Sequence, residues 1–237
     1  MRHLQPRRQR GITLVEFAIV FPVATLFVLG LIQTGLVYMA KLTVNHASFM
    51  AARVGATHNA SEKVMREAVI RGLSPFYQDS TNSNDLTRLA KAYLLSQKDN
   101  IAALPWAARV EILNPSPDAF TDFGVRDPRS RVTYIPNDNL EWRSLDLGSR
   151  SKMNIRDANL LKVRVTYGYE LKVPLVAGML SRVMCGGTIG VDAYGDVKPW
   201  EAVFGPVSQE CLRYYMHGRI PIESYAIVQM QSRAEKS

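Results

Sequence analysis

The segment that decides the fold is residues 10–41, RGITLVEFAIVFPVATLFVLGLIQTGLVYMAK. From Phe17 to Ala40 it holds 24 consecutive uncharged residues, and Lys41 closes the run. As a helix these residues span about 36 Å, more than the roughly 30 Å of bilayer hydrocarbon. A buried core helix is seldom apolar on every face for six turns, and a secretory signal has a shorter apolar region before a small-residue cleavage site. The sequence therefore predicts one transmembrane helix over residues 12–40.

The distribution of charge along the chain does not indicate a nucleic-acid-binding protein. The 237 residues carry 29 Lys and Arg against 21 Asp and Glu, a formal net charge of +8. Half of that excess lies in the first ten residues, at Arg2, Arg7, Arg8 and Arg10. The basic excess therefore does not indicate a folded basic surface that would bind a nucleic-acid backbone, and we expect no nucleic-acid partner. We also expect no small-molecule substrate. The positive-inside rule places the arginine-rich tip in the cytoplasm and the chain from residue 41 onward outside the membrane.

Glu16 is the one charged residue inside the predicted transmembrane helix, residues 12–40. A carboxylate within the hydrocarbon costs about 2.5–3.5 kcal/mol on insertion scales, and less near the headgroups. Either Glu16 stays hydrated at the membrane edge, or it has a cationic partner and a function. An arginine and a glycine, Arg10 and Gly11, precede it by six and five residues.

The segment from Arg10 to Phe17 resembles the processing site of type IV prepilins and pseudopilins. The resemblance implies that a prepilin peptidase, a membrane aspartyl protease, cuts between Gly11 and Ile12. It also implies that the new N-terminus at Ile12 is methylated and that Glu16 attracts the N-terminal amine of a neighbouring subunit. Such pairing is physically reasonable, because an unpaired charge in a low dielectric is costly.

Glu16, Phe17 and Ala18 followed by Pro22 resemble the TadE-like minor pseudopilins of the tight-adherence (Flp pilus, type IVb-like) system. Segments after the helix and near the C-terminus carry the same resemblance: Ala47, Ala51, Ala52, Arg53, Ala56, residues 218–222 and residues 228–232. The related TadF-like pseudopilins share the N-terminal pattern and stay an alternative. The resemblance implies a single-pass protein of the bacterial inner membrane, in contact with its lipid. It also implies a periplasmic domain that works with other pilins and the pilus assembly machinery.

The rest of the chain, residues 41–237, is predicted to form a small extracytoplasmic α+β domain with an antiparallel sheet and packed helices. Helical spacing continues from Lys41 to Gly55 and returns over residues 61–72 and 84–99. Strands are predicted over residues 108–113, 158–173, 188–197 and 223–231, with a short helix over residues 174–184. Together with a basic leader over residues 1–11, the sequence thus predicts three parts.

Residues 114–154 differ from the segments around them. They are rich in proline, aspartate, asparagine and serine, which predicts a long polar loop. Loops of this length are uncommon unless they are mobile or functional. The segment is either a recognition surface for another pilus component or a solvated insertion.

Two cysteines, Cys185 and Cys211, are the only ones in the chain. An even number outside the inner membrane suits a disulfide between them. Two free buried thiols are the alternative.

No motif in the sequence predicts catalysis, a metal centre or a cofactor. The histidines form no H-E-x-x-H pattern, and residues 122–124 spell D-F-G without the glycine-rich loop of a kinase. The sequence is compatible with three functions: a pseudopilin, an uncleaved signal-anchored binding domain of a secretion system, and a membrane-tethered hydrolase built around His58 or His217. We expect the first, and no enzymatic activity.

Overall fold

The computed structural model describes residues 14–79, 81, 84–103, 107–173, 175, 176, 178 and 213–236. One long helix, α1, runs over Leu14–Thr57, a length of 44 residues. At 1.5 Å per residue it measures about 66 Å. Its first part is exposed, and its second part lies along the folded domain. The apolar stretch and the helical spacing after it therefore form one continuous rod.

The domain is a mixture of short helices and antiparallel strands. Its helices are α2 (Glu62–Gly72), α3 (Asp85–Gln97), α4 (Pro117–Phe123) and α5 (Ile155–Ala158). Its strands are β1 (Ala108–Asn114), β2 (Val125–Arg126), β3 (Thr133–Ile135), β4 (Leu160–Glu170), β5 (Arg219–Gln229) and β6 (Ala234–Glu235). In the described part of the chain they form two three-stranded sheets, ordered β1-β4-β5 and β2-β3-β6. The predicted α+β class with a long N-terminal helix is confirmed.

Strand β4 is the centre of the larger sheet. It pairs antiparallel with β1 and with β5, so that Val165 lies opposite Val110 and Val163 opposite Ala226. Successive side chains of β4 point to opposite faces of the sheet, and those of one face lie in the core: Leu161, Val163, Val165, Tyr167 and Tyr169 are all buried. This face of the sheet packs against α1 and α2, and it forms the core of the domain.

Helix α2 runs antiparallel to α1 and packs closely against it. A β-carbon on Gly72 would lie 2.6 Å from Cβ of Ala47, so the two backbones approach closely at this point. The predicted helix end at Gly55 is two residues short, because α1 continues to Thr57. Gly55 instead makes room for α2, since a β-carbon there would lie 2.8 Å from Cγ of Met65.

Other predicted boundaries shift in ways that local chemistry explains. The last long strand begins at Arg219 rather than at residue 223, directly after Gly218 turns the chain with a φ of 65°. Pro221 does not interrupt β5, because β5 lies at the edge of the sheet that the described residues form, and proline is tolerated in edge strands. Of the predicted helix over residues 174–184, the structure describes only residues 175, 176 and 178, and these are helical. The predicted strand over residues 188–197 lies wholly outside the described residues.

The segment predicted as a long polar loop, residues 114–154, contains regular structure. Helix α4 begins there because Ser116 Oγ accepts a hydrogen bond from the amide of Ala119 at 3.2 Å and Pro117 occupies the first turn. Strands β2 and β3 follow, and β3 pairs with the C-terminal strand β6. The remainder of the segment is turns, at the end of the domain where β4 begins.

Candidate assembly surface of the long helix

The N-terminal part of α1 is apolar and exposed. Within the described residues α1 is the one helix that is long and apolar enough to cross a membrane, and almost none of its most apolar 18-residue window is buried. Large side chains point outward all round this part, among them Phe17, Val20 and Phe27. A core helix would bury such residues, so this surface requires lipid or other helices around it. The helix therefore fits a single-pass membrane protein.

The structure places three of the residues that the sequence singled out. Glu16 lies in the first turn of α1 and is exposed. The Phe17 ring stacks on the Phe21 ring one turn later, with ring centroids 5.2 Å apart. Pro22 lies inside the helix, where it lacks the N–H that would bond back to the preceding turn. Gly11 and Ile12 are outside the described residues, so the processing site and the pairing of Glu16 stay predictions.

The C-terminal part of α1 presents a row of small side chains to the domain. Ala40, Val44, Ala47 and Ala51 follow one another at spacings of four and three residues, and each is at most 1% exposed. Small residues at this spacing let the sheet and α2 lie close to the helix backbone. The alanines that carried the family resemblance are thus contacts within one subunit.

Polar contacts fix the helix to the domain along its length. Oε1 of Gln33 accepts a hydrogen bond from the amide of Val173 at 2.9 Å, and Nζ of Lys41 donates to the carbonyl of Glu223. At its end, the carbonyl of Ala56 accepts hydrogen bonds from the amides of residues 231 and 232 at 2.9 Å. From Gln33 to Ala56 the helix and the domain form one unit.

A buried hydroxyl pair lies between these contacts. The Oγ atoms of Ser48 and Ser224 are 2.7 Å apart, and both residues are buried. Because each hydroxyl satisfies the other, neither is left as an unpaired polar group in the core.

Among the residues that the structure describes, none covers the opposite face of this part of α1. We call it the free stripe, and its members are Tyr38, Met39, Leu42, His46, Phe49 and Arg53, all exposed. From Met39 onward they follow one another at spacings of three and four residues, and Tyr38 lies four residues before Leu42, so they share one face. The guanidinium of Arg53 lies over the Phe49 ring, 5.8 Å from its centroid. The apolar surface of the membrane part therefore continues past Lys41 to Phe49, beside the folded domain.

The turns of residues 137–153 are held in one conformation by hydrogen bonds. The carboxylate of Asp122 accepts hydrogen bonds from the amide and hydroxyl of Ser151, both at 2.7 Å, and from the amide of Arg150. These bonds, with the Ser151 amide contributing most, hold the pKa of Asp122 below its usual value. Asp122 of the D-F-G string is thus a structural anchor. The segment exposes Trp142 at 89%, together with Leu145 and Leu147.

The histidines proposed for a hydrolase make local contacts. Nδ1 of His58 lies 2.9 Å from the carbonyl oxygen of Val54 and 2.9 Å from Oγ1 of Thr57, at the end of α1. Nδ1 of His217 lies 3.1 Å from the carbonyl oxygen of Arg213. Over the part of the chain that the structure covers, no group of three or more His, Cys, Asp or Glu side chains could hold a metal ion. Both predicted disulfide residues, Cys185 and Cys211, lie outside the described residues.

These features define a class of protein: an α+β domain fixed to a long N-terminal helix that is apolar at one end and uncovered along one face. Residues 11–53 match the family described as TadE-like protein. The match begins at Gly11 and ends at Arg53, the last residue of the free stripe. The resemblance predicted from the N-terminal motif is thereby confirmed for this segment.

The match suggests a protein related to the Tad pilus and associated with the pilus machinery. TadE-like pilus-associated proteins are of a structural, non-enzymatic kind. No curated protein matches the chain, and no solved structure matches it.

Proposed function

We propose that this protein is a TadE-like minor pseudopilin that takes part in the assembly of Flp (tight-adherence) pili. The observation that carries the proposal is the free stripe. The domain covers one face of α1 and leaves the opposite face apolar and exposed, in line with the membrane part. A helix with this arrangement can pack against other helices along its whole length while its own domain stays folded.

The exposure of apolar side chains to water along the free stripe favours a helical partner. Phe49 lies eight residues, or about 12 Å, beyond Lys41, so lipid does not cover it when Lys41 lies at the membrane surface. A rigid, exposed apolar strip in water is a binding surface more often than an accident. Residues at spacings of three and four are the positions that helix-to-helix packing uses. Assembly with another subunit would bury them.

Processing and charge pairing complete the proposal. Prepilin peptidase removes residues 1–11, and the ammonium of Ile12 pairs with Glu16 of a neighbouring subunit in the helix bundle. Phe17 and Pro22 belong to the same bundle surface. The arginine-rich leader places the N-terminus in the cytoplasm and the domain in the periplasm. The partners are other pilins or pseudopilins, the assembly machinery and inner-membrane lipid.

An uncleaved, signal-anchored binding domain is the second candidate. Its support is the exposed Trp142 with Leu145 and Leu147, at the end of the domain far from the membrane helix. Tryptophan is enriched among the residues that dominate protein interfaces. In this case the partner would bind the turns of residues 137–153, and α1 would serve only as an anchor.

Site-specific photo-cross-linking distinguishes these functions. We expect p-benzoylphenylalanine at Phe49 to capture another pilus subunit in cells of the native host. The matched control is the same probe at Leu86, which is 81% exposed on α3 and lies off the stripe. Capture from Phe49 but not from Leu86 supports the pseudopilin. Capture from Leu145 and none from Phe49 contradicts it and supports the binding domain.

A further inference from the structure

The connection that follows β4 reaches far down α1 toward the membrane. The amide of Val173 donates a hydrogen bond to Oε1 of Gln33 at 2.9 Å, and Gln33 is only 3% exposed. Gln33 lies eight residues before Lys41, the first cation after the apolar stretch. The domain therefore contacts the helix about 12 Å closer to the membrane than this cation.

Helix geometry gives the depth of that contact in a bilayer. About 30 Å of hydrocarbon accommodates roughly 20 helical residues. If the hydrocarbon begins at Ile12 it ends near Leu31, and if it begins at Phe17 it ends near Leu36. In both placements Gln33 lies within about one helical turn of the boundary between hydrocarbon and headgroups. The chain around Val173 therefore lies at headgroup level, provided that α1 spans the membrane as proposed.

The side chains at this level suit a lipid surface. Leu175 is 63% exposed, although it is apolar, and Lys172 is exposed next to it. Nζ of Lys172 lies 2.8 Å from Oε2 of Glu170, and β5 begins opposite Glu170 with Arg219. Tyr38 is exposed five residues beyond Gln33, on the opposite face of α1, in the free stripe. Exposed apolar side chains, cations and tyrosines are typical of the parts of a protein that lie at a membrane interface.

We propose that Lys172, Val173, Leu175 and Val176 form a second contact between this protein and the bilayer, which we call the lipid-facing segment. Leu175 enters the boundary of the hydrocarbon. The ammonium of Lys172 keeps its ion pair with Glu170 and donates its remaining hydrogen bonds to anionic headgroup phosphates. With α1 as the first attachment, this contact limits the tilt of the helix and its domain, as one unit, relative to the membrane. The free stripe then stands at a fixed angle to the membrane, at which a neighbouring membrane helix can pack against it.

Lipid photo-capture by the full-length chain tests the proposal. The chain is reconstituted in vesicles of phosphatidylethanolamine and phosphatidylglycerol, with p-benzoylphenylalanine at Leu175, at Leu147 or at Phe27. Mass spectrometry identifies what each probe captures. Leu147 is 67% exposed at the distant end of the domain, and Phe27 is 67% exposed in the middle of the membrane part. We expect phospholipid adducts at positions 175 and 27 and none at position 147.

The other possible results of lipid photo-capture contradict either the second bilayer contact or the membrane span. Lipid capture at Phe27 without lipid capture at Leu175 overturns the lipid-facing segment and leaves the membrane helix intact. Capture of this chain's own residues, or of a second copy, at Leu175 also overturns the proposal, because protein then covers the segment. No lipid capture at Phe27 overturns the membrane span itself.

The charge part of the proposal has its own variant. Lys172→Gln should lower lipid capture at Leu175 about fivefold in vesicles that contain phosphatidylglycerol. The same change should have little effect in vesicles of phosphatidylcholine alone. Lys63→Gln, at an exposed lysine on α2, is the matched control and should change neither value. Equal effects of the two variants would show that Lys172 makes no headgroup contact.

Discussion

Asp122 shows how a single carboxylate organises a segment that has little secondary structure. Its oxygens accept hydrogen bonds from Ser149, Arg150 and Ser151, and they thereby join α4 to the turn before α5. These bonds favour the ionised carboxylate, and so its pKa lies below the usual value. The exposed Trp142 therefore lies in a segment that these bonds hold near its C-terminal end, at residues 149–151.

This arrangement predicts a pH-dependent effect of Asp122→Asn. Because the folded-state pKa is lowered, the stabilisation is fully present above the unfolded pKa, near 3.9, and is lost as the pH falls through the folded value. The variant should thus lower the melting temperature at pH 7, and the difference should shrink below about pH 4. Thermal unfolding of the full chain in detergent measures this. Asp118→Asn, at an exposed position of the same helix, is the control. A difference that is independent of pH would contradict the charge argument.

The sequence reveals some of the important residues and hides others. Gly11 and Glu16 stand out because charge and glycine are unusual beside an apolar helix. Gln33 and Ser48 do not stand out, because their partners Val173 and Ser224 are 140 and 176 residues away along the chain. Their role depends on the tertiary structure, and hydrophobic spacing carries no signal for it.

At the scale of elements, the contact between α1 and α2 holds the rod to the domain. The two helices approach most closely where Gly72 meets Ala47. Ala47 is fully buried, so neither helix has room for a larger group there. Close packing of this kind makes the interface sensitive to a single methyl group.

Gly72→Ala should separate the two helices and destabilise the domain by about 1–3 kcal/mol. The new β-carbon would lie 2.7 Å from Cα of Ala47, which belongs to the backbone and cannot move aside as a flexible side chain would. Gly35→Ala is the matched control, because a β-carbon there meets nothing within 4 Å. Chemical denaturation in detergent should show a loss for the first variant and none for the second. Equal stabilities would refute the close contact.

Long periodic elements were predictable from sequence, and short ones were not. The spacing of apolar residues located α2, α3 and β4 to within a few residues, because each buries one regular face. Helix α4 and strands β2 and β3 span seven, two and three residues, too few for a period to emerge. Their positions depend on the Ser116 cap and on pairing with β6, which is distant in sequence.

At the scale of the whole molecule, α1 has two roles on two faces. One face is the core of its own domain, and the other is free along the stripe and around the membrane part. The proposed assembly adds the charge at Glu16, at the far end of the rod. Assembly by helix packing thus needs both the stripe and the charge.

Glu16→Ala should leave peptidase cleavage intact and lower incorporation into pili by more than about tenfold. The reason is that an ammonium left without its carboxylate in an apolar bundle costs about 3–5 kcal/mol. Glu16→Gln keeps the shape without the charge and should fail similarly, whereas Glu16→Asp should retain part of the function. Immunoblots of cells and of sheared pili report processing and incorporation separately. Normal incorporation of Glu16→Ala would exclude the pairing role.

The most direct test of the proposed function is the N-terminus of the mature protein, determined by mass spectrometry after purification from a host that has an active prepilin peptidase. We predict that the chain begins at Ile12 and that Gly11→Ala leaves the leader attached. A mature chain that still carries residues 2–11 would contradict the pseudopilin assignment, and it would leave α1 as the anchor of a tethered domain.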